Sequence, residues 1–254
     1  EIKGFKDKGR WYFKKQDIDA WLDLKNQRIV NLSLPEYEKS FEFAIKMAYG
    51  GLSLHGIRGQ RSEVQAADDI ILGILAEHAI KKFLNQKFNT EVELDENVHT
   101  YQITPQDLIN IKKINESLRP AKLGVGVKAS KSKSCYLVLG GNEIEIPQRK
   151  SDVYIFARVG LPSDHLFRIL RNHSFFKTVK DFLDTNEGFR KIEELREIPI
   201  WICGFVYAEE LEKVKSIPGQ EFSGVKDKSD YRYVKSVARM HNSDKDWGSL
   251  ISKL

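Results

Sequence analysis

The sequence predicts an α/β protein built on a mixed central sheet flanked by helices, and three observations carry that expectation. Asp152–Leu161 and Ile198–Val206 are two near-continuous apolar runs of strand length, the kind buried on both faces of a sheet. The stretch from Ser62 to Phe88 has the apolar spacing of a long helix. Further strand-like and helix-like segments alternate between these, as layered α/β chains require.

From the beginning of the chain, Gly9 predicts a turn feeding a short aromatic strand, Arg10-Trp11-Tyr12-Phe13. Asp17 is read as the cap of a helix whose Ile18, Trp21 and Leu22 share one face. Asn26–Ser33 reads as a polar linker, and Tyr37–Ala48 as a helix followed by Gly50-Gly51. Ser62 and Gln65 form a capping-box pattern, after which Ile70, Ile74, Ile80 and Leu84 recur at helical spacing. Thr90–Leu94 alternates as a strand. Residues 104–118 admit two readings, a helix opening at Thr104-Pro105 or an extended run Asp107-Leu-Ile-Asn-Ile. Leu123–Ser130 and Cys135–Leu139 read as strands joined by a basic turn. Helices are expected near 163–172, 174–183 and 208–215, and over Asp246–Leu254. The expected division is residues 1–30, a small N-terminal element with its linker, and residues 31–254, the main domain.

The chain has 254 residues, 41% apolar and 30% charged, which is enough to bury a core. No apolar run is long enough to span a membrane, and no secretory signal is visible. Two cysteines, Cys135 and Cys203, exclude a disulfide framework or a zinc cluster, and both are read as sitting in apolar surroundings; a cytoplasmic location is expected. The net charge of +5 suits a polyanionic partner. Its distribution is more telling: Arg119, Lys122, Lys128, Lys131, Lys133, Arg149 and Lys150 face only Glu143 and Glu145 between them, a local field that attracts phosphates.

Three constellations stand out. The first is Gly9–Lys15 with Asp17–Leu22 behind it, a basic aromatic hairpin followed by a helix with Trp21-Leu22. The second is Glu77, one turn from Gly73 and Ile74 and so on the apolar stripe, where a carboxylate is costly unless a cation or donors meet it. Pairing with a buried Lys or Arg would satisfy it as well as a metal would. The third is Lys128 within Leu123-Gly-Val-Gly-Val-Lys-Ala-Ser-Lys. A lysine there either reaches solvent from the strand end or faces a phosphate.

The N-terminal constellation resembles the C-terminal half of an excisionase-like winged helix-turn-helix, whose recognition helix would lie upstream of Glu1. The others resemble the PD-(D/E)XK nucleases, which order a helix with a Glu, a strand with an Asp and a strand with acid-X-Lys. The resemblance spans about residues 60–215 and implies a restriction-endonuclease-like fold. It implies a type II restriction-type endonuclease that hydrolyses double-stranded DNA with Mg2+. Glu77, Asp107 and Lys128 would be catalytic, with Glu77 and Asp107 holding the metal. Asp107 lies 21 residues before Lys128; Asp95 replaces it if 104–118 is helical. Gly126 stands where the acid two residues before the lysine is expected. DNA contacts are expected from Arg10, Lys14, Lys15, Arg119, Lys131, Lys133, Arg149 and Lys150. A homodimer is expected, because cutting both strands takes two active centres. The helix pair at 163–183 carries Phe167, Phe175, Phe176 and Phe182, read as core beneath the sheet in preference to an interface. The rival readings are a non-catalytic DNA-binding protein on a degenerate nuclease fold, and a structural protein whose basic stretch is a solvated face.

Overall fold

The computed structural model describes residues 4–49, 62–96, 106–131, 133–222 and 231–254. The side chain of Trp21, Gly50-Gly51 and Thr104-Pro105 lie outside the description. Among the described residues no helix is long and apolar enough to cross a membrane.

The N-terminal hairpin forms as the Gly9 turn predicts. Strands β1 (Gly4–Asp7) and β2 (Arg10–Phe13) pair antiparallel, with Lys8 and Gly9 both at positive φ in the turn. Helix α1 (Lys15–Asn26) follows, but its N-cap is Lys14 with no side-chain cap bond, and Asp17 lies within the first turn. There it still favours the positive end of the helix dipole. The expected linker contains a strand instead. β3 (Ile29–Leu32) buries Val30 and Leu32 and pairs with a central strand of the main sheet, so residue 30 is inside a strand of the main domain.

Helix α2 (Leu34–Tyr49) lies against α3 (Glu63–Phe88). Ser62 caps α3 by accepting from the Gln65 N–H at 3.3 Å, and Asn89 ends it in the left-handed region. β4 (Glu91–Leu94), β5 (Leu108–Lys112) and β6 (Arg119–Pro120) form a three-stranded antiparallel sheet. The ambiguous segment is therefore extended, not helical.

The main sheet contains β3, β7 (Val125–Lys131), β9 (Val153–Val159) and β10 (Ile198–Tyr207), in the order β3-β10-β9-β7. β7 runs parallel to β9; the other pairings are antiparallel. Val125, Val127, Ile155, Ala157, Ile200 and Ile202 pack on the α3 face, where Ala76 and Ala79 let helix and sheet approach closely. Tyr154, Phe156 and Cys203 fill the opposite face against Leu137 and Leu139 of β8 (Tyr136–Leu139), which lies beyond the basic turn. Both central strands are thus buried on two sides, as their unbroken apolar runs require. A bulge between Ile202 and Gly204 shifts the register of β10, and Gly204 has φ +140° with the His241 carbonyl 2.5 Å from any added Cβ.

After β8 come α4 (Gly141–Glu145), α5 (His165–Leu170) and α6 (Ser174–Thr185). The helix expected at 208–215 is a 3-10 turn, Ala208–Glu210, running into β11 (Glu212–Val214). β12 (Ser216–Ile217) and β13 (Gln220–Glu221) make a small hairpin, and β14 (Arg232–Ser236) joins β11 to β8 in a second sheet. Helix α7 (Asp244–Lys253) is capped by Ser243 and seats Trp247 on Phe83 and Phe205. Two readings are corrected here. Cys135 is exposed and only Cys203 is buried. Phe167, Phe175 and Phe182 are 56%, 68% and 54% exposed, so the helix pair is not core beneath the sheet.

Candidate active site

Glu77, Asp107 and Lys128 come from three elements that meet at the free edge of β7. Asp107 immediately precedes β5, and its N–H donates to the Val125 carbonyl at 2.8 Å. The Val127 N–H donates back to Asp107 Oδ2 at 2.6 Å. The carboxyl is thus tied to the strand that carries Lys128. Burial raises the Asp107 carboxyl above its ordinary range, against the pull of Lys128 and the Val127 N–H. Glu77 projects from α3 toward the same place. Burial pushes its carboxyl well above the usual value, and the charge of Asp107 pushes it further. Asp95, whose N–H donates to the Asp107 carbonyl at 3.1 Å, adds to the same negative field.

Lys128 Nζ sits 2.6 Å from Glu143 Oε1 and 6.0 Å from the Tyr154 ring centre. Burial opposes its charge, but Glu143 and Asp107 outweigh burial and hold the ammonium above its ordinary range. Glu143 is the residue that sequence reasoning missed. The sequence offers it only as one of two acids in a basic stretch, and β8 lies between it and the lysine-bearing strand. Gly126 explains the departure from acid-X-Lys. A Cβ there would lie 2.9 Å from Ser151 Oγ and 3.2 Å from the Tyr154 ring, so a carboxylate at that position would have to push both side chains aside. An acid reaches Lys128 from α4 instead. A cleft of about 310 Å³ opens beside the pair, lined by Ser130, Tyr136 and Phe156 among others.

A second polar cluster anchors the other end of α3. Lys131 Nζ pairs with Asp68 Oδ2 at 2.9 Å, and His165 Nε2 bonds Asp68 Oδ1 at 2.9 Å. Tyr37 Oη bonds His165 Nδ1. A neutral imidazole with its proton on Nε2 satisfies both neighbours, and burial lowers the His165 pKa accordingly.

The expected DNA contacts scatter over several surfaces. Arg10, Lys14 and Lys15 are exposed at the hairpin and the start of α1, and Lys133, Arg149 and Lys150 are exposed around β8 and α4. Lys131 is engaged by Asp68, while Arg119 donates to the Leu254 carbonyl at 2.6 Å and so ties down the end of α7. A cleft of about 740 Å³ between α2, α3 and β4 is lined by four lysines matched by four glutamates. Among the described residues no three His, Cys, Asp or Glu side chains converge as a metal-holding group. No family model, curated protein or solved structure matches the chain.

Proposed function

We propose that the chain is a Mg2+-dependent endonuclease of the PD-(D/E)XK superfamily, a type II restriction-type enzyme that hydrolyses double-stranded DNA. The observation that carries the reading is the meeting of Glu77 and Asp107, two desolvated carboxylates, with Lys128 at one strand edge. Their order along the chain, on a helix, before a strand and on the next long strand, is the order the superfamily uses.

Glu77 and Asp107 are hard oxygen donors of the kind magnesium takes, while Glu143 is engaged by Lys128. Glu77 and Asp107 would hold the ion, and two carboxylates leave room for the waters that magnesium keeps. Bound there, magnesium neutralises charge on the phosphate and lowers the pKa of a water. The chain does the rest. The Val127 N–H fixes the Asp107 carboxylate. Lys128, held as an ammonium, orients the attacking water and stabilises negative charge on the phosphate rather than acting as a base. Glu143 fixes the ammonium. Exposed Arg10, Lys14, Lys15, Lys133, Arg149 and Lys150 supply sequence-independent phosphate contacts. Two copies would provide the two centres needed to cut both strands.

Incubating plasmid with the protein and Mg2+ tests the reading: discrete fragments are expected. Lys128→Ala should retain DNA binding and lose cutting by orders of magnitude; normal cutting by that variant refutes the assignment. Gly126 favours one rival, a non-catalytic DNA-binding protein on the same fold. Calorimetric titration with Mg2+ separates the two, since that rival predicts no specific heat.

A further inference from the structure

The face of the sheet that carries Lys128 continues to a cation the proposed chemistry does not use. On β9, Val153, Ile155, Ala157 and Val159 face α3, so Tyr154, Phe156 and Arg158 face the other way. Register places Phe156 beside Lys128, and Arg158 between Ser130 of β7 and Trp201 of β10. Arg158 therefore lies one strand across and two residues along from Lys128, about 8 Å away from ordinary strand spacings.

The Arg158 guanidinium is held by stacking, and its Nε has no partner. Its carbon sits 4.4 Å from the centre of the Trp201 ring, and Lys25 Nζ lies 5.4 Å from the same ring. The Nε of Arg158 and the Nε1 of Trp201 are both buried without a hydrogen-bond partner. Among the described residues no carboxylate pairs with Arg158. Several other cations are paired: Arg168 takes Asp164 and Glu193, Arg239 takes Glu212, Lys128 takes Glu143 and Lys131 takes Asp68. Arg171, whose Nε is also orphaned, donates to the Ile192 carbonyl and among the described residues is not stacked on an aromatic ring. An orphaned buried N–H is costly and favours any acceptor that reaches it. A guanidinium whose plane is fixed by stacking offers a preformed fork for a phosphate.

We infer that Arg158, stacked on Trp201, is a second phosphate-binding position for the DNA strand that passes Lys128. Lys25, at the end of α1, connects this position to the N-terminal hairpin. The identity of the anion rests on the nuclease reading.

The test measures binding of a short fluorescent duplex by anisotropy across a salt series, in EDTA so that nothing is cut, for the wild type, Arg158→Ala and Arg158→Lys. Removing one phosphate contact should lower the slope of log K against log salt by about 0.9 and weaken binding several-fold. Arg158→Lys keeps the charge and should restore the slope while recovering only part of the affinity. Trp201→Phe should abolish part of the tryptophan fluorescence change caused by duplex. Melting curves show whether each variant is folded, and the lysine variant carries the test if the alanine variant is not. Wild-type affinity and slope in both arginine variants overturn this assignment and leave the nuclease reading standing. A wild type with no salt-dependent duplex binding overturns both.

Discussion

Neutralising Glu77 should stabilise the metal-free protein, and this inverts the usual effect of changing a buried polar residue. In the absence of metal, the Glu77 carboxylate is desolvated and faces the like charge of Asp107. Lys128 offsets this only in part, because its ammonium is 2.6 Å from Glu143. Glu77→Gln keeps the shape and removes one negative charge. Relieving strain of this kind at a functional site is commonly worth about 0.5–2 kcal/mol. For a chain of this size each kcal/mol moves the melting temperature by roughly 2–4 °C, so a rise of a few degrees is expected in EDTA. Magnesium should reverse the order. At ten times its Kd it adds about 1.4 kcal/mol to the wild type, while the variant, missing one ligand, gains little. Thermal scans of both proteins in EDTA and in Mg2+ read the effect without relying on activity. A variant that melts below the wild type in EDTA would mean the chain already satisfies the carboxylate. Equal magnesium shifts in the two proteins would remove Glu77 from the metal site.

Three further outcomes follow from the geometry. Gly126→Ala should cost about 1–3 kcal/mol by urea unfolding, because its Cβ meets Ser151 Oγ at 2.9 Å and the Tyr154 ring at 3.2 Å; an unchanged midpoint would show that the strand has room for the missing acid. His165 has a lowered pKa, so its contribution is fully present above the unfolded value near 6.5 and is lost as pH falls from there toward the folded value. Urea midpoints across that window should drop less for His165→Gln than for the wild type, and an equal drop would assign the dependence elsewhere. Phe175, Val179 and Phe182 make an exposed stripe on α6, and with Phe167 and Phe189 they offer on the order of 500 Å² per protomer, near the minimum for a stable dimer. Phe175→Asp with Phe182→Asp should turn a sedimenting dimer into a monomer that nicks rather than breaks duplex DNA; a wild type that sediments as a monomer on DNA and still breaks both strands refutes the interface.

Where signals are local, the sequence was readable. The Ser62 cap and the apolar stripe define α3, and the two-sided apolar runs define β9 and β10, because caps and periodicity act over a few residues. Glu77 and Lys128 were visible as charges at positions where apolar residues were due. The misreadings have non-local causes. Ile29–Leu32 is too short to announce itself, and only β10 makes it a strand. Glu212–Val214 lies in a stretch of good helix formers, yet pairing with β14 decides its state. Glu143 meets Lys128 through a loop and a short strand whose path no local rule supplies. Arg158 looked like one more residue of an apolar strand until the register set it beside Trp201.

One tie joins α3 directly to β7 through Asp68 and Lys131, and a second runs from Glu77 through the charge of Asp107 to Val127, which makes those elements a matched pair of rulers. Asp68 and Glu77 are nine helical residues apart, about 13.5 Å of rise. Lys131 and Val127, which engage Asp68 and Asp107, are four strand residues apart, about 13 Å. The equality holds only for this number of residues in each element. Inserting or deleting a single residue between Asp68 and Glu77 would slide the carboxylate by about 1.5 Å and swing it by about 100° around the helix axis. Surface loops of this protein can vary in length at little cost. The nine-residue interval cannot, and any homologue that keeps the same chemistry should keep the same count.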